Sequence, residues 1–238
     1  MMLDDRLAVI PNVVGFNKLM EGQWLEHATL GPVGKQIIKR HGYKCCICGL
    51  VSKPSKQVQH GYMVPFDPRH EAGFALDAKA GYCLCALCAA TKGLNWAVMG
   101  RRIGNKELPP PGVLMVQHVL PQSDITRLAS YAIAVLASRK AGSSNKVESA
   151  ARDIDAAMLG LNENIFGVLP FYRGSDSGFA RALNMLDEEF YEQRDEIMGC
   201  LKWWPSMSYW REQGIYWMQS TYSADVKALH AEVASHEC

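Results

Sequence analysis

Apolar and polar positions change rhythm along this chain, and the changes mark its elements. Near the start, Leu7-Ala8-Val9-Ile10 and Val13-Val14-Gly15-Phe16 are short β-type runs around Pro11, which predicts two short strands. Residues 34–40 read as a short helix, residues 57–64 as a strand with a glycine kink, and residues 65–81 as loop. Residues 85–98 hold few breakers besides Gly93 and predict a helix. Residues 101–112 read as a loop stiffened by Pro109-Pro110-Pro111. Val113-Leu114-Met115-Val116 is the clearest strand. Pro121-Gln122-Ser123-Asp124 then starts a helix with Ser123 as the expected N-cap, running through Leu128, Tyr131, Ala132 and Val135 to about residue 139.

Ala141-Gly142-Ser143-Ser144-Asn145 has the composition of a linker, and beyond it the pattern turns helical. Helices are expected over roughly 147–159, 178–186, 188–201 and 207–221, with Pro170 and Pro205 as punctuation. The fold class is therefore α+β: a module of short strands and helices over 1–140, followed by a helical segment over 141–238 that packs on it or extends it. In that segment Trp203, Trp210 and Trp217 recur every seven residues, as do Tyr209 and Tyr216, and Trp204 adjoins the first. Heptad spacing predicts one continuous aromatic helical face. Such a face either packs on the chain's own helices or docks a partner, since Trp and Tyr are favoured at binding hot spots.

Composition adds a core but no membrane span. The 238 residues are 48% hydrophobic and 21% charged, which is enough apolar material for a folded domain. No run approaches the ~20 apolar residues of a membrane helix. The N-terminus, Met1-Met2-Leu3-Asp4-Asp5-Arg6, lacks a signal-peptide pattern. The expectation is a cytoplasmic protein, in a compartment where thiols take metal rather than form disulfides. The net charge of +1 conceals an asymmetry: residues 35–106 hold 12 Lys/Arg against 3 Asp/Glu, and the remainder 13 against 21. The basic part suggests an acidic or polyanionic partner, nucleic acid included, or else forms a solvated face offset by the acidic half.

The basic part is also the cysteine part. Cys45-x-x-Cys48 and Cys85-x-x-Cys88 stand 36 residues apart. Each lies in a knuckle-like context, Tyr43-Lys44-Cys45-Cys46-Ile47-Cys48-Gly49 and Cys83-Leu84-Cys85-Ala86-Leu87-Cys88. Two residues between thiolates let both sulfurs reach one metal from a tight turn, and two such turns complete a tetrahedron, so a single structural Zn²⁺ is expected. Cys46 and Cys83 sit beside these ligands and could compete through C-x-C spacing, whose bite is poorer. Cys200, in a helical pattern, is expected to be a small buried residue, and Cys238 to be free.

The stretch Leu84-Cys85-Ala86-Leu87-Cys88-Ala89-Ala90-Thr91-Lys92 resembles the second knuckle of HNH endonucleases, L-C-x-x-C-H-x-x-K. The resemblance implies an HNH-like zinc fold. That family's working site needs histidines of its own, however, and Ala89 occupies one of those slots. The other slot is His60, preceded by Gln59 rather than an acid. Phosphodiester hydrolysis needs a base and a cation; His60 is a candidate base, and Asp67 and His70 candidate ligands in an irregular loop.

The order of features is similar to the DotN/IcmJ family of type IVB secretion systems and its relatives in IncI-type conjugation. The basic helix before Tyr43 to Gly49, the Cys83 to Cys88 cluster, the strand Gly112 to Val116 leading to Leu120-Pro121 and Asp124, and the terminal Trp204-Pro205-Ser206, Trp210-Arg211-Glu212-Gln213 and Trp217 carry the resemblance. It implies a non-catalytic zinc adaptor of a coupling complex, with Cys45, Cys48, Cys85 and Cys88 as ligands and no catalytic residue. The implied partner is a C-terminal segment of the coupling ATPase, held at the cytoplasmic side of the inner membrane. No small-molecule substrate and no membrane insertion are implied. The alternatives are an HNH-type endonuclease, or a nucleic-acid-binding zinc module using residues 35–106 on transfer DNA.

Overall fold

The computed structural model describes residues 3–68, 75–103, 106–138, 146–169, 172, 174–225 and 227–228. The expected linker over 141–145, His70 and Cys238 lie outside them. The fold is α+β, as the sequence predicts.

Leu7–Ile10 is extended, but its partners are helix ends rather than a strand. The Ala8 amide donates to the Thr91 carbonyl, the Leu94 amide to the Ala8 carbonyl, and Asn95 bonds both backbone groups of Ile10 through its side-chain amide. The second predicted strand is a helix, α1 (Val13–Met20). Asn12 caps it by accepting from the Gly15 amide at 2.8 Å, and Phe16 and Leu19 turn into the core. A cap that accepts the amide three residues on overrides the β preference of Val13-Val14. A 3-10 turn over Gln23–Leu25 buries Trp24, and α2 (Leu30–Arg40) follows, four residues longer at its start than predicted.

The strand expected over 57–64 begins only at Met63. β1 (Met63–Phe66) pairs antiparallel with β2 (Tyr82–Cys85), Met63 opposite Cys85. Then come α3 (Ala86–Lys92) and α4 (Leu94–Ala97), divided at Gly93. The single helix expected over 85–98 is thus two: a Cβ on Gly93 would lie 2.3 Å from the Phe16 ring, so glycine at the division is a packing necessity between α1 and α4. The segment predicted as a proline-stiffened loop contains a hairpin instead, β3 (Arg101–Ile103) with β4 (Lys106–Leu108). The predicted strand is present as β5 (Gly112–Val116), and α5 (Gln122–Ala137) follows. Ser123 is not the N-cap of α5. It lies inside the first turn, and its amide donates to the Asp5 carboxylate at 3.0 Å. The N-terminal segment thus supplies the anion that the helix start favours.

After α6 (Lys146–Gly160) and a 3-10 turn come α7 (Ile165–Val168) and α8 (Asp176–Leu183). The helix predicted over 188–201 is two short helices, α9 (Glu188–Glu192) and α10 (Arg194–Met198). Its end, with Trp203-Trp204, is a strand, β6 (Leu201–Pro205), antiparallel to β5. Cys200 therefore sits half-buried at a strand entrance, where its carbonyl accepts the Gln117 amide. The last predicted helix starts late, as α11 (Arg211–Trp217), and ends in a π-turn over Met218–Tyr222. The heptad tryptophans consequently form no single helical face. Trp203 and Trp204 stand on β6, Trp210 at the cap of α11 and Trp217 at its end, and all four are buried. The docking-face reading of the stripe fails, because these rings join the two halves of the chain in one core.

Both edges of the β5–β6 ribbon are closed by side chains. On β6, the Trp203 amide donates to Gln122 Oε1 at 2.8 Å and its carbonyl accepts from Gln122 Nε2 at 3.0 Å. On β5, the Leu114 amide donates to Asp176 and its carbonyl accepts from Asn162. Open strand edges invite pairing with other chains, and these amides and carboxylates satisfy them in place. Gln122 is 3% exposed. Gln122→Ala will strand a buried N–H and C=O and lower stability by about 2–4 kcal/mol, read as a urea midpoint shift at constant slope.

Candidate metal centre

Each knuckle is built by local backbone logic. In the first, the Cys45 amide donates to Leu50 O at 2.8 Å and the Gly49 amide to Cys45 O at 3.1 Å, closing a turn that needs the left-handed φ of +77° at Gly49. Lys44 and Val51 form a β-bridge that holds the turn's base. In the second, β2 runs straight into α3. Cys85 is the N-cap, its sulfur accepts the Cys88 amide at 3.4 Å, and Cys88 lies in the first helical turn. The Cys46 amide donates to Cys83 O at 2.9 Å and brings the knuckles together.

The four predicted residues meet. Ligand atoms of Cys45, Cys48, Cys85 and Cys88 all lie within 4.8 Å of one another, and all four residues are buried. The Cys48 and Cys85 sulfurs are 3.6 Å apart, close to the roughly 3.8 Å edge of a tetrahedron with metal–sulfur bonds of about 2.3 Å. The set can hold a metal ion. Its electrostatics point the same way. Burial works against the Cys45 thiolate, yet hydrogen bonds with Cys48, Cys85 and Cys88 hold it well below the usual thiol range. Burial and the Cys45 charge push Cys85 and Cys88 well above it. A divalent cation is what lets buried thiols this close together ionise as a set.

The competing cysteines stand outside this set. The Cys46 sulfur contacts His41 Nδ1 at 3.3 Å, and burial raises its pKa. Cys83 is fully buried, and burial pushes its thiol up strongly.

The residues weighed for hydrolysis are placed differently. Ala89, 0% exposed, fills the position beside Cys88 with a methyl group in the core. His60 packs edge-on to Trp24 and Tyr62, with centroids at 6.0 and 5.7 Å, and burial lowers its pKa. Asp67 is buried and accepts the Asp77 amide at 3.2 Å. Neither belongs to the cysteine cluster.

Sequence reasoning missed the residues that brace the first knuckle from the far end of the chain. Thr221 Oγ1 donates to Val51 O, the Tyr216 hydroxyl to Lys53 O, and Arg127 Nε to Cys48 O. The Tyr222 hydroxyl, buried, pairs with Ser130 Oγ at 2.7 Å. Tyr62, at a left-handed φ of +56°, donates to Glu212 and packs against Tyr216. The Gly61-Tyr62 pair carries a local turn signal; the others depend on tertiary placement. No protein-family model matches the chain, and no curated protein matches it. Among the described residues, no helix is long and apolar enough to cross a membrane.

Proposed function

We propose that the chain is a non-catalytic zinc adaptor of a type IVB secretion or conjugation coupling complex, working at the cytoplasmic side of the inner membrane and holding a C-terminal segment of the coupling ATPase. The observation that carries it is the closed, buried four-thiol set. Four sulfur donors satisfy a structural Zn²⁺ completely, whereas catalytic zinc keeps an open position for water or substrate. Soft thiolates in tetrahedral array also favour zinc over magnesium or calcium. The order of knuckles and terminal tryptophans, which resembles the DotN/IcmJ pattern, supports this choice of partner. The packing of His60 among aromatic rings and the methyl at Ala89 support an HNH-like scaffold kept for its shape.

The test is twofold. Purified protein will carry one equivalent of zinc and will retain the C-terminal region of a type IVB coupling ATPase from the same organism, measured by calorimetry. With Mg²⁺ or Mn²⁺ it will not nick supercoiled plasmid. Nicking that disappears in His60→Ala would establish the endonuclease reading instead, and failure to bind the ATPase region would remove the adaptor reading.

A further inference from the structure

Between Glu26 and Asp67 the chain contains no acidic residue and six Lys/Arg. Lys35, Lys39, Lys44, Lys53 and Lys56 are all exposed, and none has an acidic partner among the described residues. A groove of 170 Å³ opens in this stretch between α2 and the residues leading to β1. Leu25, Ile38, Tyr43 and His60 line it, and Lys35 and Lys39 stand at its margin with Gln59 opposite in sequence. Ile38 and Leu25 make an aliphatic lining under two unpaired cations. That volume is below the usual range for a small-molecule site, but it suits side chains of a chain lying across the surface.

We propose that this groove is the docking site of an extended, acidic protein segment that presents carboxylates at every second position along one face. Lys35 and Lys39 are one helical turn apart, about 6 Å along α2. Side chains on one face of an extended strand recur at about 7 Å. Two carboxylates two positions apart on one face of the segment can therefore meet the two ammonium groups, with their methylene stems over Leu25 and Ile38. Gln59 offers an amide to the segment's backbone.

A nucleic-acid strand fits less well. Arg40, the one guanidinium of the stretch, is spent on the carbonyls of Ala78, Lys79 and Gly81. His60 is already engaged by Trp24 and Tyr62, which leaves Tyr43 as one ring in the lining, where a strand of bases needs a succession of stacking platforms. The inference rests on the adaptor reading only for the identity of the natural partner; the chemistry of the groove stands by itself.

The test uses the full-length, metal-loaded protein and fluorescence anisotropy of three labelled probes. These are a short peptide alternating glutamate and leucine, the same peptide with glutamine for glutamate, and an oligothymidylate of similar length. The acidic peptide should bind saturably with a Kd below about 1 mM and weaken as salt rises. K35E/K39E, a change of two exposed side chains, should weaken it about tenfold or more, with metal content and circular dichroism unchanged. The glutamine peptide should bind equally weakly to both proteins. Absence of saturable binding, equal affinity of the double variant, or tighter oligothymidylate binding with the same lysine dependence would overturn the proposal. The natural partner separates the two readings. If the ATPase region binds wild type and K35E/K39E alike, the groove assignment falls and the adaptor stands. If it binds neither while the acidic peptide binds wild type, the adaptor reading falls and the groove stands.

Discussion

Cys88→Ser will release the metal and unfold the module around it. Cys88 is 1% exposed in the first turn of α3, and Leu87, Ala89 and Ala90 on the same helix are 0% exposed. The four-sulfur site therefore lies inside the hydrophobic core rather than on a surface turn. Structural zinc in small modules contributes about 10–16 kcal/mol of apparent binding free energy, comparable to the ~5–15 kcal/mol net stability of an entire domain. Serine keeps the shape at 88 but supplies a poor donor, and the remaining thiols stay buried beside a competing charge. Metal content should fall well below one equivalent, and the far-ultraviolet spectrum should lose helix. Cys45→Ser should do the same through the first knuckle. Cys46→Ser is the contrast: its sulfur faces His41, so metal and melting temperature should be retained. Full metal occupancy in Cys88→Ser, or its loss in Cys46→Ser, would show that the ligand set is wrong. Acid should reproduce the ligand loss. Metal binding requires thiolates, and burial already raises Cys85 and Cys88. Protons will therefore displace the metal as pH falls, and stability and occupancy should fall together.

The cysteine set was legible because its geometry is local. A two-residue gap fixes a turn, and a turn fixes two sulfurs whatever the rest of the chain does. The strand at Val113 to Val116 was legible for the same reason, whereas the single helix expected over 85–98 is divided at Gly93 by the approach of Phe16. The failures share a different cause. Trp203 and Trp204 fall in a helical-looking stretch, but they become β6 because β5, some 90 residues earlier, offers an edge with Leu114 opposite Trp203. Val13-Val14 looks like strand until Asn12 is seen to cap it. Ser123 looks like a cap until Asp5 takes its amide from across the fold. The bracing of the first knuckle by Tyr216, Thr221 and Arg127 carries no local signal, since it depends on α11 lying against α5. That contact is set by Gly214, where a Cβ would meet Ile133 at 2.6 Å. Local rules predicted what local forces decide, and tertiary pairing decided the remainder.

Trp210→Ala will be the most damaging change outside the metal set, and it tests whether the aromatic positions build the core or await a partner. Trp210 is 2% exposed. Its indole N–H donates to Pro111 O at 2.8 Å, and its ring contacts Trp96 and Trp203 at centroid distances of 6.3 Å, and Tyr209 at 5.0 Å. One side chain therefore ties the α4 region, the turn before β5, and β6 to the start of α11. Removing a buried Trp costs about 3–5 kcal/mol through lost contacts and the cavity, and the Pro111 carbonyl loses one of its two donors, keeping the Ser206 amide. A fall of roughly 10–15 °C in Tm is expected for a chain of this size. Trp210→Phe keeps most ring contacts and gives up the hydrogen bond, so about 1–3 kcal/mol should be lost. Because helix α3, which carries Cys88, and the tryptophans share one core, metal release and loss of tryptophan fluorescence should coincide in both variants. A docking residue would behave in the opposite way: Trp210→Ala would leave the melt unchanged and abolish partner binding. A stability loss under about 1 kcal/mol would remove Trp210 from the core, since fully buried aromatic side chains do not come so cheaply.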